Sequence, residues 1–96
     1  VWSLEEGVRQ ITEVPAALLG FHDRGVLRAG AWADMMIFDA DEIAPTYKEF
    51  VPDLPGGAGR YKAYGKGVYA TIVNGTPIVL DGELTGRMPG MVVAPQ

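Results

Sequence analysis

His22 stands beside Asp23 and is the one histidine in the chain. An imidazole next to a carboxylate can act as a general base or hold a metal ion. Metal centres need several convergent ligands, and no second ligand lies at a helpful spacing from His22. A turn histidine, on the surface or packed under a helix end, is the simpler reading. Asp34 and Asp39 bracket an apolar run and could form a carboxylate pair. Their odd spacing puts them on opposite faces of a strand, so strand-end capping and loop hydrogen bonds explain them better. Pro55-Gly56-Gly57-Ala58-Gly59-Arg60 has the glycine content of a phosphate cradle. No Gly-Lys-Ser/Thr follows and no clear strand precedes, so it reads as a flexible loop. Met35, Met36, Met88 and Met91 read as core or gap-filling residues. No serine or threonine has a base within a recognisable motif. The residues alone assign no catalytic, cofactor-binding or metal-binding position.

Composition narrows the class. Hydrophobic residues make up 48% and charged residues 21%, an ordinary globular balance for one small domain. A net charge of −4, with 8 Lys and Arg that form no cluster, argues against a nucleic-acid surface. With no cysteine there is neither a disulfide framework nor a thiolate zinc site, which suits the cytoplasm. No apolar run approaches the ~18 residues of a membrane span, and no signal peptide is visible. The chain begins at Val1 and reads as a piece of something longer.

The element that must organise the rest is a hairpin over residues 68–81. Two β-branched runs flank Asn74-Gly75, which suits a two-residue turn with positive φ at both positions. The expected register pairs Val73 with Thr76, Ile72 with Pro77, Thr71 with Ile78, Ala70 with Val79 and Tyr69 with Leu80. Both faces are mostly apolar, so each should be covered by something. Pro77 makes the second strand an edge, or bends it.

Around this hairpin the expectation is α+β, mainly β, with short N-terminal helices. Ser3-Leu4-Glu5-Glu6 fits a capping box, and Leu4, Val8 and Ile11 form one helical stripe. Pro15 ends that helix near Glu13 or starts a second one, with Gly20 as its stop. Val26 and Leu27 suit a short strand, residues 35–39 a buried strand, and residues 91–93 a last short strand. Residues 40–67 show no periodicity and hold Pro45, Pro52 and Pro55 beside Tyr47, Phe50, Tyr61 and Tyr64. A loop this long is unusual in a small domain, and its aromatics suit a surface outside this chain.

Several stretches together resemble the closing segment of metal-dependent amidohydrolases. They are Pro15-Ala16-Ala17-Leu18-Leu19-Gly20, Asp23-Arg24-Gly25-Val26-Leu27, Gly30, and Trp32-Ala33-Asp34 running through the strand to Asp39. The tail is similar to the N-acyl-D-amino-acid deacylase (D-aminoacylase) group within that superfamily. The similarity lies in Val73-Asn74-Gly75, Asp81-Gly82-Glu83, Thr85-Gly86 and Pro89-Gly90, and in the Asp53-Leu54-Pro55-Gly56-Gly57 loop. Met35-Met36 and Met91 depart from the usual pattern.

The resemblance implies a (β/α)₈ barrel hydrolase acting on carbon–nitrogen bonds other than peptide bonds, with N-acyl-D-amino acids as substrates. Its divalent metal, zinc, would be held at the ends of barrel strands and activate water. A cyclic-amide hydrolase or deaminase of the same superfamily is the alternative, as is a free-standing β-rich interaction module. Residues 1–22 would then be terminal barrel helices, and residues 23–96 the C-terminal half of a small β-sandwich shared by both chain termini. The barrel strands are absent here, so no metal ligand is carried over to any position. The expected partners are the remainder of the parent chain, with no nucleic acid and no membrane, and self-association of the segment.

Overall fold

The computed structural model describes residues 1–95. Helix α1 (Leu4–Ile11) starts where the Glu6 N–H donates to Ser3 Oγ at 3.1 Å. The return half of the expected capping box is replaced. Glu6 instead accepts from Arg9 Nε at 3.0 Å and Gln10 Nε2 at 2.9 Å, one turn on. Thr12 breaks the helix with a non-helical backbone, and its hydroxyl donates to Val8 O. Helix α2 (Glu13–Leu18) restarts with Pro15 in its first turn. It ends where Phe21 N–H donates to Ala16 O at 2.8 Å and Gly20 N–H to Ala17 O at 3.1 Å. Gly20 takes φ 84°, the left-handed conformation this stop requires.

Residues 21–34 form bends, without the strand expected at Val26 and Leu27. Gly25 at φ 82° turns the chain there, and an extended run cannot continue through it. Strand β1 (Met35–Phe38) forms where a strand is expected but is not buried, since nothing among the described residues covers Met36 and Ile37, and it pairs antiparallel with β4 (Val68–Val73). β4 continues through Asn74 and Gly75, at φ 50° and 80°, into β5 (Thr76–Leu80). A short β6 (Glu83–Leu84) completes a sheet of order β1-β4-β5-β6.

The hairpin register holds for Val73–Thr76 and Ile72–Pro77 and then slips by one residue. Thr71 faces Val79 and Ala70 faces Leu80, which leaves Ile78 as an extra residue. The slip follows Pro77, which has no N–H to give a ladder. It turns the Ile78 carbonyl outward to Thr85 N–H at 2.9 Å, while Thr85 Oγ1 donates to Pro77 O at 2.8 Å. The strand therefore bends at Pro77, and β6 covers only Val79 and Leu80.

The expected long loop at 40–67 is instead a second hairpin. β2 (Ala44–Val51) and β3 (Arg60–Lys66) pair antiparallel, linked by a 3₁₀ turn at Pro55–Gly57. Its cross-strand aromatics explain why periodicity missed it. Tyr47 stacks on Tyr64 with ring centroids 4.8 Å apart, and Phe50 meets Tyr61 edge-on at 5.4 Å. Phe50 also fills the space over Gly59, where a Cβ would stand 2.0 Å from its ring. These contacts join residues far apart in sequence on a ribbon without a buried face. Residues 91–93 form no strand.

Among the described residues only Ala70 is buried, at 6% exposure. The α1 stripe lies open, with Leu4 and Ile11 in solvent. On the main sheet, Met36, Ile37, Tyr69 and Leu80 are also exposed. Neither face of the central hairpin is fully covered within the described residues.

Candidate functional site

The residues singled out for chemistry do not converge. His22 is exposed in the turn after α2, and its carbonyl accepts from Arg28 Nη2. Asp34 and Asp39 sit at opposite ends of β1. Asp39 does local work, as its Oδ1 accepts the Asp41 N–H at 2.9 Å, whereas Asp34 reaches residues distant in sequence. The Gly-rich segment folds into the 3₁₀ turn, and Arg60 forks onto Asp53 at 2.9 and 2.7 Å. That pairing occupies the only cation of the supposed phosphate cradle. Met36, Met88 and Met91 are exposed rather than packed as fillers.

A different set does converge, at the Asn74-Gly75 tip of the hairpin. Asp34 Oδ1 accepts the Asn74 backbone N–H at 2.8 Å, and its other oxygen pairs with Arg24 Nη1. The same Arg24 nitrogen donates to Asn74 Oδ1 at 3.2 Å. Asn74 Nδ2 donates to Pro89 O at 2.8 Å, and Gly75 N–H to Ala33 O at 2.9 Å. The Arg24 guanidinium lies 5.0 Å from the centroid of the Trp32 ring. Trp32 Nε1 in turn donates to Asp23 Oδ2 at 3.1 Å.

Each element supplies one part of this knot. The stop after α2 launches residues 23–25 toward the sheet. Gly25 packs so closely on α2 that a Cβ would stand 2.8 Å from both Ala16 Cβ and Thr12 O. β1 carries Asp34 to the tip because its pairing partner β4 ends at Val73. The left-handed Asn74 turns its amide back over the 23–34 loop and the tail. A network spanning Arg24 and Asn74, 50 residues apart, leaves no local pattern to read. Its members were visible only as motif residues whose spacing had no evident purpose.

The knot fastens the 23–34 loop, the hairpin tip and the tail to one another. Both Asp34 oxygens and the Asn74 amide are engaged. Shifted groups lie elsewhere in the chain. Hydrogen bonds from Gln10 and Arg9 lower Glu6, and Arg60 lowers Asp53. The hydrogen bond to Glu49 raises Tyr64, and the charge of Asp39 raises Tyr69. Among the described residues, no group of three or more His, Cys, Asp or Glu side chains could hold a metal ion. Beside the knot lies an open depression lined by Phe21, Asp23, Arg24, Trp32, Met91 and Val93. No helix is long and apolar enough to cross a membrane, among the described residues.

Comparison with known proteins gives this arrangement a context. Residues 1–79 match the amidohydrolase family. The chain is 36% identical over 94 residues to an N-acyl-D-aspartate deacylase of Alcaligenes xylosoxydans xylosoxydans, covering 97% of this chain and 17% of that protein. An N-acyl-D-glutamate deacylase of the same organism is 34% identical over 91 residues, covering 95% and 17%. A D-aminoacylase, again of that organism, is 33% identical over 94 residues, covering 98% and 18%. The chain thus spans under a fifth of the length of these relatives. No solved structure matches it. The family match runs from α1 through the knot loop and the hairpin tip into β5, and the chain belongs to the amidohydrolase family.

Proposed function

We propose that this chain is the closing structural segment of an amidohydrolase that hydrolyses N-acyl-D-amino acids. In that reaction water adds across the acyl C–N bond, releasing a carboxylate and a free D-amino acid. The observation that carries this reading is similarity to three N-acyl-D-amino-acid-type deacylases through nearly the whole of this chain. The described residues hold no group of three or more His, Cys, Asp or Glu side chains that fits a metal centre, and in this reading the catalytic steps belong to the rest of the parent protein. The divalent metal implied by the family, zinc in this reading, belongs with the rest of the parent protein.

In this reading the segment's role is mechanical. Residues 1–22 close the barrel, and residues 23–96 supply half of a small sandwich. The remainder of the parent chain is the partner that covers the exposed stripe of α1 and the open sheet faces. The absence of cysteine supports a cytoplasmic location.

The test is turnover by the protein in its natural full length. N-acetyl derivatives of D-aspartate, D-glutamate and D-leucine are offered beside their L-enantiomers, a hydantoin and a nucleobase, with released amine measured. Release from the D-compounds is expected. Turnover of the cyclic amide or the nucleobase instead would replace this reading with the corresponding alternative. Turnover of none would favour a non-catalytic module.

A further inference from the structure

Asn74-Gly75 is more than a turn signal. It is the chain's one Asn-Gly step, and Asn74 is its only asparagine. An asparagine followed by glycine is chemically labile, because no side chain shields the next backbone nitrogen from the amide carbon. Here every group that would react is held by another segment. Gly75 N–H donates to Ala33 O at 2.9 Å. Asn74 Nδ2 donates to Pro89 O at 2.8 Å, and Asn74 Oδ1 accepts from Arg24 at 3.2 Å.

We propose that Asn74-Gly75 is a latent imide-forming modification site that the knot of Arg24, Ala33 and Pro89 holds in its amide form. The reaction has two steps. Gly75 nitrogen gives up its proton to solvent base and attacks Asn74 Cγ. An N–Cγ bond forms, the Cγ–Nδ2 bond breaks, and Nδ2 leaves as ammonia after taking a proton from solvent. Water then opens the imide at one of its two carbonyls, giving aspartate or isoaspartate. Either product loses the Nδ2 donor to Pro89 O and sets a second carboxylate beside Asp34. Isoaspartate also adds a backbone atom to a two-residue turn whose geometry fixes the register. The modification would therefore release the tail from the hairpin tip.

Asp81-Gly82 provides an internal comparison. It too has positive φ at both residues, at 50° and 84°, and a Cβ on Gly82 would meet nothing within 4 Å. Asp81 N–H donates to Tyr69 O, but among the described residues no strap comparable to that at Asn74 crosses its side chain.

The experiment incubates the intact protein at mildly alkaline pH, folded and in urea. Peptide mapping by mass spectrometry and enzymatic isoaspartate methylation then follow both sites. Asn74 should convert about tenfold or more slowly when folded, because reaction proceeds only from the opened fraction. Asp81 should show a much smaller ratio. Arg24→Gln, and separately a chain ending after Gly86 that lacks the Pro89 carbonyl, should each raise the folded-state rate at Asn74 and leave Asp81 unchanged. If a variant raises both sites it has unfolded, and the folded-to-urea ratio of the unaltered protein decides alone. Equal Asn74 rates in the two conditions would overturn the proposal, as would an unchanged folded rate in both folded variants.

Discussion

Gly25 and Asp34 show what single residues contribute. Gly25 combines a positive φ of 82° with a neighbourhood that has no room for a methyl group. Gly30 has a similar φ of 92° and open space around it. Gly30→Ala should therefore cost only the left-handed backbone penalty of about 1–2 kcal/mol. Gly25→Ala should cost more, by about a further 1–3 kcal/mol of overpacking against α2. Urea titrations of the intact protein with each variant measure the difference; equal losses would mean the close approach to Ala16 and Thr12 is dispensable. Asp34 serves two donors, one of them the Arg24 guanidinium, whose side chain is only 16% exposed. Asp34→Ala strands both donors and should destabilise by about 1–3 kcal/mol. Asp34→Asn keeps one acceptor oxygen for the Asn74 N–H and should cost less. A larger loss for the asparagine variant in the same titration would contradict this division of labour.

At the scale of elements, β2 and β3 form a ribbon with no third strand among the described residues, and a two-stranded hairpin is marginal in water on its own. Its stability rests on the two aromatic pairs and on the Arg60–Asp53 fork near its closed end. Its amides should exchange with solvent faster than those of β4, a strand flanked on both sides in the main sheet. Hydrogen exchange of residues 44–51 and 60–66 against 68–73 checks this, and equal protection would show that the ribbon is held by more than itself. The fork also sets a pH dependence. Arg60 lowers the Asp53 carboxyl below its ordinary value, so the unfolded chain binds that proton more readily than the folded one. The stabilisation is present above the ordinary carboxylate value and is lost as pH falls through the lowered folded value. Acidification should therefore lower the protection of amides around the 3₁₀ turn relative to the intrinsic exchange rate at the same pH, and Asp53→Asn should abolish that acid response.

At the scale of the whole molecule, the described residues form no core of their own. Its Cα radius of gyration is 15.9 Å, whereas a compact domain of about 100 residues has about 13 Å. Only Ala70 is buried among the described residues, while Ile11, Leu18, Tyr61 and Leu84 are each at least 75% exposed. Each large apolar side chain left in water forgoes about 1.5–3 kcal/mol of burial. The 96-residue chain by itself should accordingly self-associate or melt low. Light scattering over a concentration series, with thermal melts alongside, tests this. A strict monomer melting sharply above the usual mesophile range of ~45–65 °C would show that the chain completes its own core.

Local rules made part of this protein legible in advance. The Ser3 cap, the helix stop at Gly20, strand β1 and the Asn74-Gly75 turn each depend on residues a few positions apart, and all formed. The first two hairpin pairs also followed from the turn. The register beyond them did not, because Ile78 bulges where Thr85 competes for its carbonyl. The ribbon of β2 and β3 escaped notice because cross-strand aromatic pairs, rather than an alternating buried face, hold it together. The short strand expected at Val26 and Leu27 gave way to the backbone turn at Gly25. The motif residues Arg24, Asp34, Asn74 and Pro89 were visible as a family resemblance, but their common purpose was not. Only the tertiary structure brings a side chain at position 24 to a turn at 74 and a tail at 89, because hydrogen bonds between distant segments leave no periodicity in the sequence.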